Sequence, residues 1–203
     1  SQLVRSPGVY FDRSRDRATG KEIFGAKIIP SRGAWLEFEI DKRDVLGVRV
    51  DRKRKQSAIV FLMAIGMTKD EIADAFRDYP RVMDALAEEP VQTQDEALTD
   101  LYRKSRPADT PTPEAGKNLL DSFYFNTKRY DLARVGRYKI NRKLGLEKDV
   151  NDRSLSREDI IATIKYLVTL HAGETKFPGK RDGQDVDLRV DVDDIRSEEH
   201  TSE

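Results

Sequence analysis

The stretch IIPSRGAWLEFEID, residues 28–41, decides the fold of this chain. In its second half apolar and polar side chains alternate, which is the pattern of a β-strand with one buried face and one solvated face. Leu36, Phe38 and Ile40 share the apolar face, so we expect these three side chains in the core. The opposite face carries Trp35, Glu37, Glu39 and Asp41.

The segments beside this strand predict its partners. After a polar connection at residues 42–44, Leu46, Val48 and Val50 repeat the alternation, which indicates an antiparallel hairpin. The run at residues 22–29 adds a further strand. The first third of the chain is therefore predicted to form antiparallel strands.

Helical patterns replace the strand pattern from residue 57 onward. Residues 58–65 are almost wholly apolar and predict a short helix. Thr68 with Glu71, and Thr93 with Glu96, have the spacing of capping boxes, in which each side chain bonds the backbone of the other residue. Each pair predicts the start of a helix.

Three further helix starts follow from local chemistry. Thr112 precedes Pro113, and proline is tolerated at the first helical position. Asp131 is a suitable cap for the next helix, and Ser156 opens the last one, which Gly173 ends. Antiparallel strands in the first third followed by a cluster of helices predict an α+β fold.

Composition limits the classes of function. The 203 residues suit one ordinary domain or two small ones. Because 37 basic side chains balance 37 acidic ones, any nucleic-acid binding must come from local patches rather than from net charge. The absence of cysteine excludes disulfides and thiolate zinc sites. The sequence also has no apolar run of about 18 residues, which is the length that would suggest a membrane span.

Several segments together resemble the β subunit of bacterial RNA polymerase. They follow one another in the family's order from Ser1 to about Ile195, so the resemblance covers most of the chain. The segments are RSPGVYFD at residues 5–12, IIPSRGAWLEFEID at 28–41, DRKRK at 51–55, RP at 106–107 and RYDLARVGRYKINRKLG at 129–145.

The resemblance implies a division of the chain. Residues 1–8 correspond to the end of a strand of the family's protrusion, and residues 9–195 correspond to its lobe. Residues 196–203, RSEEHTSE, depart from the family and look like a translated sequencing adapter. We therefore interpret them as a non-native tail and the chain as a fragment.

Trp35 has two interpretations on the alternation alone. It projects from the charged face, either as an edge tryptophan folded over a loop or packed under Arg32, or as a stacking platform for an unpaired base. The resemblance favours the second, because the family's tryptophan at this point stacks on a non-template base at the downstream edge of the bubble.

Arg5 precedes a turn at Ser6, Pro7 and Gly8, and an arginine there is ordinarily a solvated charge. The resemblance implies instead that Arg5 and Ile195 wall a pocket for a non-template guanine, whose two acceptors suit a guanidinium. The family's next pocket residues correspond to the foreign tail, so the pocket is expected to be incomplete.

Two basic segments are candidates for phosphate contact. Asp51 and Arg52 begin the run DRKRK, which is either a solvated turn or, by the resemblance, part of the nucleic-acid channel. The resemblance implies that Asp51 lies close to the unpaired strand, where a carboxylate can accept from base amino groups and the adjacent cations offset its repulsion by phosphates. Residues 128–143 hold seven basic residues and one acid, a net of +6. We expect Arg134 and Arg137 on the far side of a helix from Leu132 and Val135, either as a merely soluble face or in contact with phosphates.

A catalytic centre is not expected. Glu37, Glu39 and Asp41 suggest a carboxylate metal site, but Arg49 on the paired strand offers an ordinary partner for them. The acidic stretch at residues 182–194 lacks the order of ligands in a calcium loop, and we expect a solvated strand from residue 184 onward. No cofactor is expected in this fragment.

The expected function is that of a non-catalytic lobe. By the resemblance it forms one wall of the downstream DNA channel and contacts non-template bases, while another subunit binds the catalytic magnesium of the whole nucleotidyltransferase. Its expected partners are DNA, the β′, α, ω and σ subunits and the rest of the β subunit, in the cytoplasm and away from membranes. Gln2 corresponds to an edge of the rifamycin pocket. The alternative is an unrelated, self-contained nucleic-acid-binding module.

Overall fold

Five strands form an antiparallel sheet in chain order, within a computed structural model that describes residues 5–193. Each strand pairs with the next along the chain. The strands are β1 (Gly8–Arg15), β2 (Glu22–Ile29), β3 (Leu36–Ile40), β4 (Leu46–Val50) and β5 (Gln56–Ser57).

The predicted burial of β3 is confirmed. Leu36, Phe38 and Ile40 are all at most 1% exposed. Across the hairpin they lie opposite three further core residues of β4, in the register Leu36↔Val50, Phe38↔Val48 and Ile40↔Leu46. The alternation therefore predicted both the buried face of β3 and its pairing with β4.

Seven α-helices follow the sheet in the described residues, so the predicted α+β fold is confirmed. All seven residues of α1 are buried, and α7 packs across β2 and β3. The helices are α1 (Ala58–Ala64), α2 (Lys69–Ala75), α3 (Pro80–Glu88), α4 (Gln94–Ser105), α5 (Pro113–Leu120), α6 (Ala133–Leu144) and α7 (Arg157–His171). A π-helical turn, Asp121–Phe125, continues α5.

The predicted helix starts differ in how many of the expected capping hydrogen bonds they form. Thr68 forms a complete capping box with Glu71, and Thr112 caps α5 as expected. Thr93 accepts from the Glu96 N–H at 3.2 Å, but the Glu96 carboxylate accepts from the Gln92 N–H instead. The second predicted capping box is thus only half formed.

The start of α7 follows the prediction, whereas that of α6 follows it only in part. Ser156 caps α7 in a complete box with Asp159. Asp131 lies one residue before Leu132, the N-cap of α6. Its carboxylate accepts from the Ala133 N–H at 2.7 Å. Helix α3 and the short strand β5 were not predicted.

A second hairpin closes the described fold. It consists of β6 (Lys176–Arg181) and β7 (Gln184–Arg189), and its buried residues Phe177 and Leu188 face each other across the register. Only β7 lies in the stretch that was predicted to be strand-like. The hydrophobic core is continuous from Val9 to Val190, so sheet, helices and hairpin share it.

Two further findings concern the ends of the chain and membranes. Gly8 pairs with Ile29, so the proposed boundary at residue 8 falls on a strand of the main sheet. The proposed tail at 196–203 lies outside the described residues. Between residues 5 and 193 no helix is long and apolar enough to cross a membrane.

Candidate nucleic-acid interface

The loop before β3 holds Trp35 in place. Gly33 has a φ of +124°, and a Cβ at this position would lie 2.7 Å from Cδ2 of Tyr130. The N–H groups of Ser31 and Arg32 both donate to the Asp131 carbonyl. The chain is therefore held against the segment before α6 just ahead of Trp35.

Trp35 stacks with a cation from the neighbouring turn. The Arg52 guanidinium carbon lies 4.4 Å from the centre of the Trp35 ring, and the tryptophan is partly buried while Arg52 is exposed. Such a cation–π contact contributes about 0.5–2 kcal/mol. Two of the predicted site residues are thus in direct contact.

The turn after β4 directs Arg52 toward the ring. Asp51 and Arg52 both have left-handed backbones, with φ of 54° and 61°. The Lys53 N–H donates to the Val50 carbonyl at 3.1 Å and closes the turn. Left-handed backbone in residues other than glycine is unfavourable, so neighbouring contacts must hold this turn.

Those contacts come from the Trp35 backbone and from the core. The Asp51 N–H points at both the Trp35 carbonyl, 3.2 Å away, and the Tyr124 hydroxyl, 3.1 Å away. The same hydroxyl donates to the Trp35 carbonyl at 2.8 Å. Burial raises the pKa of Tyr124 far above its usual value, so its hydroxyl remains a donor.

Two of the three carboxylates on the face of Trp35, those of Glu39 and Asp41, are paired with cations. Glu39 lies 3.3 Å from Arg49 and Asp41 lies 2.8 Å from Lys55, so the expected cross-strand role of Arg49 is confirmed. Burial opposes ionisation of Asp41, but the Lys55 ammonium and two backbone N–H groups lower its pKa overall. Within residues 5–193, no three or more His, Cys, Asp or Glu side chains are placed so that together they could hold a metal ion.

The expectation for Arg137 is wrong. Its side chain is fully buried, whereas Val135, expected on the inner side, is 46% exposed. Arg137 precedes Ile140 by three residues and Leu144 by seven, which places all three on the inner stripe of α6. That spacing was the sequence pattern that indicated burial of Arg137. We expected exposure instead because the residue is charged.

The buried Arg137 has a complete set of acceptors. Its two terminal nitrogens lie 2.7 Å and 2.8 Å from the two carboxylate oxygens of Asp159. It also donates to the carbonyls of Asp152, at 2.8 Å, and Ser154, at 2.6 Å. These bonds leave Arg137 no role in binding phosphate, and Arg134 is the exposed member of the predicted pair.

Sequence reasoning missed a basic cleft between α6 and the second hairpin. The cleft has a volume of about 580 Å³ and also borders β1. Lys143, at its wall, forms an ion pair with Asp193 at 3.0 Å. The basic side chains that line the cleft are Lys139, Arg142, Lys143, Arg181 and Arg189.

The remaining predicted residues lie elsewhere or are not described. The Arg5 guanidinium carbon lies 5.5 Å from the centre of the Tyr10 ring, on β1. Tyr10 in turn donates to the Ser6 carbonyl at 2.6 Å. Gln2 and Ile195 lie outside the described residues, so the implied rifamycin and guanine pockets stay predictions.

The family model described as RNA polymerase Rpb2, domain 2, matches residues 5–178. The chain belongs to the RNA polymerase Rpb2 domain 2 family. The match includes Trp35, Arg52 and all of α6, so the candidate interface lies within Rpb2 domain 2.

Curated relatives of this Rpb2 domain 2 carry the name DNA-directed RNA polymerase subunit beta. The protein from Bifidobacterium adolescentis is 95% identical over 195 residues, which are 96% of this chain and 16% of that relative. Those from Bifidobacterium longum subsp. infantis and Clavibacter michiganensis subsp. michiganensis are 83% and 60% identical over the same share of this chain. The chain spans about a sixth of the length of these relatives.

Proposed function

We propose that this chain is the lobe of a bacterial RNA polymerase β subunit, where it walls the downstream DNA channel and holds non-template bases. It contributes no catalytic group. Nucleotide addition takes place at a magnesium site of another subunit, in a cytoplasmic enzyme that also contains the β′, α, ω and σ subunits. DNA is the ligand of the lobe itself.

The stacked pair of Trp35 and Arg52 is the observation that carries this proposal. An indole ring that is backed by a guanidinium and only partly buried is suited to receive an unpaired base on its other face. Base stacking on an aromatic ring contributes about 1–3 kcal/mol per base and accepts any base. Such stacking suits a single DNA strand that is bound without recognition of every base.

Phosphate contacts have a separate source in this proposal. Arg134 is exposed on α6, and Arg142 is exposed two turns further along the same helix. Arg142 also borders the basic cleft. Such contacts are independent of base sequence and weaken steeply with salt.

The test is the lifetime of open promoter complexes formed by a polymerase whose β subunit carries Trp35→Ala. Loss of a stack worth about 1–3 kcal/mol shortens that lifetime roughly 5- to 150-fold. Trp35→Phe is the matched control, since a smaller ring retains part of the stack. An unchanged lifetime with Trp35→Ala would exclude the stacking role.

A further inference from the structure

The Tyr124 hydroxyl bonds both ends of the β3–β4 hairpin from a residue that is far from either end in the sequence. Tyr124 lies in the π-helical turn after α5 and is fully buried. Its hydroxyl donates to the Trp35 carbonyl at 2.8 Å and accepts from the Asp51 N–H at 3.1 Å. These two backbones carry the tryptophan and the turn that presents Arg52.

We infer that Tyr124 is the positioning residue of the Trp35–Arg52 pair. This inference rests on the proposed function for its consequence in DNA binding, but its structural claim is independent of DNA. The hydroxyl joins the residue that follows β4 to the residue that precedes β3, just beyond the Leu36↔Val50 pair. It thereby sets how far the guanidinium stands above the indole ring.

The strain of the turn is the reason that a single hydroxyl has this effect. Asp51 and Arg52 both hold left-handed backbones, which non-glycine residues adopt only when their surroundings impose them. The Asp51 N–H is directed to only two acceptors, the Tyr124 hydroxyl and the Trp35 carbonyl. Without the hydroxyl the Asp51 N–H keeps only the Trp35 carbonyl as an acceptor, although the Lys53 N–H still donates to the Val50 carbonyl. Arg52 is then held less firmly over the ring.

Packing around the ring of Tyr124 does not depend on its hydroxyl. The ring contacts Phe61, Phe123, Phe125 and Tyr130 edge to face, with centroids 5.9–6.4 Å apart. A phenylalanine keeps all four contacts, so Tyr124→Phe removes the hydrogen bonds and leaves the aromatic cluster.

The neighbouring Tyr130 supplies a matched control. It is also buried, at 2% exposure, and its ring lies 6.1 Å from that of Tyr124. Within the described residues its hydroxyl has no hydrogen-bond partner. Tyr130→Phe therefore removes a buried hydroxyl from the same cluster without removing a bond to the site.

The first experiment measures the geometry of the site in the 203-residue chain. Trp35 is the only tryptophan, so its fluorescence reports on this position alone. We expect Tyr124→Phe to shift the emission and to increase quenching by acrylamide, a neutral quencher, because Arg52 no longer covers the ring. Tyr130→Phe is expected to leave both signals as in the parent chain, and circular dichroism confirms that each variant is folded.

A rescue variant separates positioning from general stability. Glycine adopts a left-handed backbone without strain, so Asp51→Gly relieves the turn that Tyr124 restrains. We expect the addition of Asp51→Gly to Tyr124→Phe to return the quenching toward that of the parent chain. A variant that is less stable but has unchanged quenching while folded would mean that Tyr124 is merely structural, which overturns the inference.

The second experiment measures open-complex lifetime in an assembled polymerase with the same changes. A lost hydrogen bond of ordinary net strength predicts that Tyr124→Phe shortens the lifetime about 2- to 12-fold, with Tyr130→Phe as the control. If Trp35→Ala shortens the lifetime but Tyr124→Phe changes neither lifetime nor quenching, the positioning role is wrong. If Tyr124→Phe changes the quenching and Trp35→Ala leaves the lifetime unchanged, the proposed function fails and the positioning role stands.

Discussion

Arg137 and Asp159 form a bidentate ion pair in which both side chains are completely shielded from solvent. The pair joins α6 to the first turn of α7. Asp159 also accepts from the Ser156 N–H at 2.9 Å, so one carboxylate serves both the ion pair and the cap of α7. Arg137 therefore stabilises the fold from the middle of a basic segment.

Removal of one member of this pair is expected to be severe. Arg137→Ala leaves Asp159 buried without its cation, which typically costs about 3–5 kcal/mol of the free energy of unfolding. Arg134→Ala on the exposed face of α6 is the control, with a change within about 0.5 kcal/mol. Urea denaturation of the chain measures both. A stable Arg137→Ala chain with weakened DNA binding would restore the phosphate-binding role that the structure contradicts.

Acid is expected to weaken the contact between Asp131 and Arg153. A side-chain hydrogen bond from Arg153 lowers the pKa of Asp131 from 3.8 to about 2. Because the folded-state pKa is the lower one, the stabilisation is complete above the unfolded-state pKa and is lost as the pH falls from about 4 toward 2. Arg153 is half exposed, so solvent screening makes the contribution to stability smaller than the pKa shift alone would give.

The measurement is the urea midpoint of the parent chain and of Asp131→Asn over this pH range. The parent chain is expected to be more stable at neutral pH, and the difference is expected to shrink as the carboxylate becomes protonated. Asp185→Asn, at a carboxylate that is 91% exposed, serves as the control. A difference between parent and Asp131→Asn that stays constant from neutral pH to pH 2 would contradict the assignment.

Gly33 is expected to tolerate no side chain. Alanine there combines a left-handed backbone with a Cβ only 2.7 Å from the Tyr130 ring, and the two effects together cost roughly 2–4 kcal/mol. Gly173 also has a positive φ, but no atom lies within 4 Å of a Cβ placed there. Gly173→Ala is therefore expected to cost only about 1 kcal/mol. Equal losses from the two substitutions, measured by thermal unfolding, would show that contact with Tyr130 is unimportant.

Periodic features of the sequence predicted much of the fold. The alternation at Leu36, Phe38 and Ile40 gave the buried face of β3, and side-chain caps such as Thr68 and Ser156 gave the starts of helices. Both signals arise from neighbours in the chain, so they can be read locally. Helix α3 begins at Pro80 with no side-chain cap, so the proline at its first position was not accompanied by the capping residue that marked α5.

The candidate site was only partly predictable for the same reason. Trp35 and Arg52 were identified separately, but their stacking depends on the turn at Asp51, whose strain no local pattern revealed. Tyr124 reaches the site from 89 residues away. Arg137 was misassigned because an arginine on an inner stripe is acceptable only with a buried partner, and Asp159 lies 22 residues further along the chain.

The central claim is that a non-template base stacks on Trp35, and the most direct test places the fluorescent base 2-aminopurine at successive non-template positions of an open complex. Stacking on an indole quenches this base, so we expect strong quenching at one position at the downstream edge of the bubble. The quenching is expected to disappear with Trp35→Ala and to persist in part with Trp35→Phe. Identical fluorescence profiles for the parent polymerase and Trp35→Ala would contradict the claim.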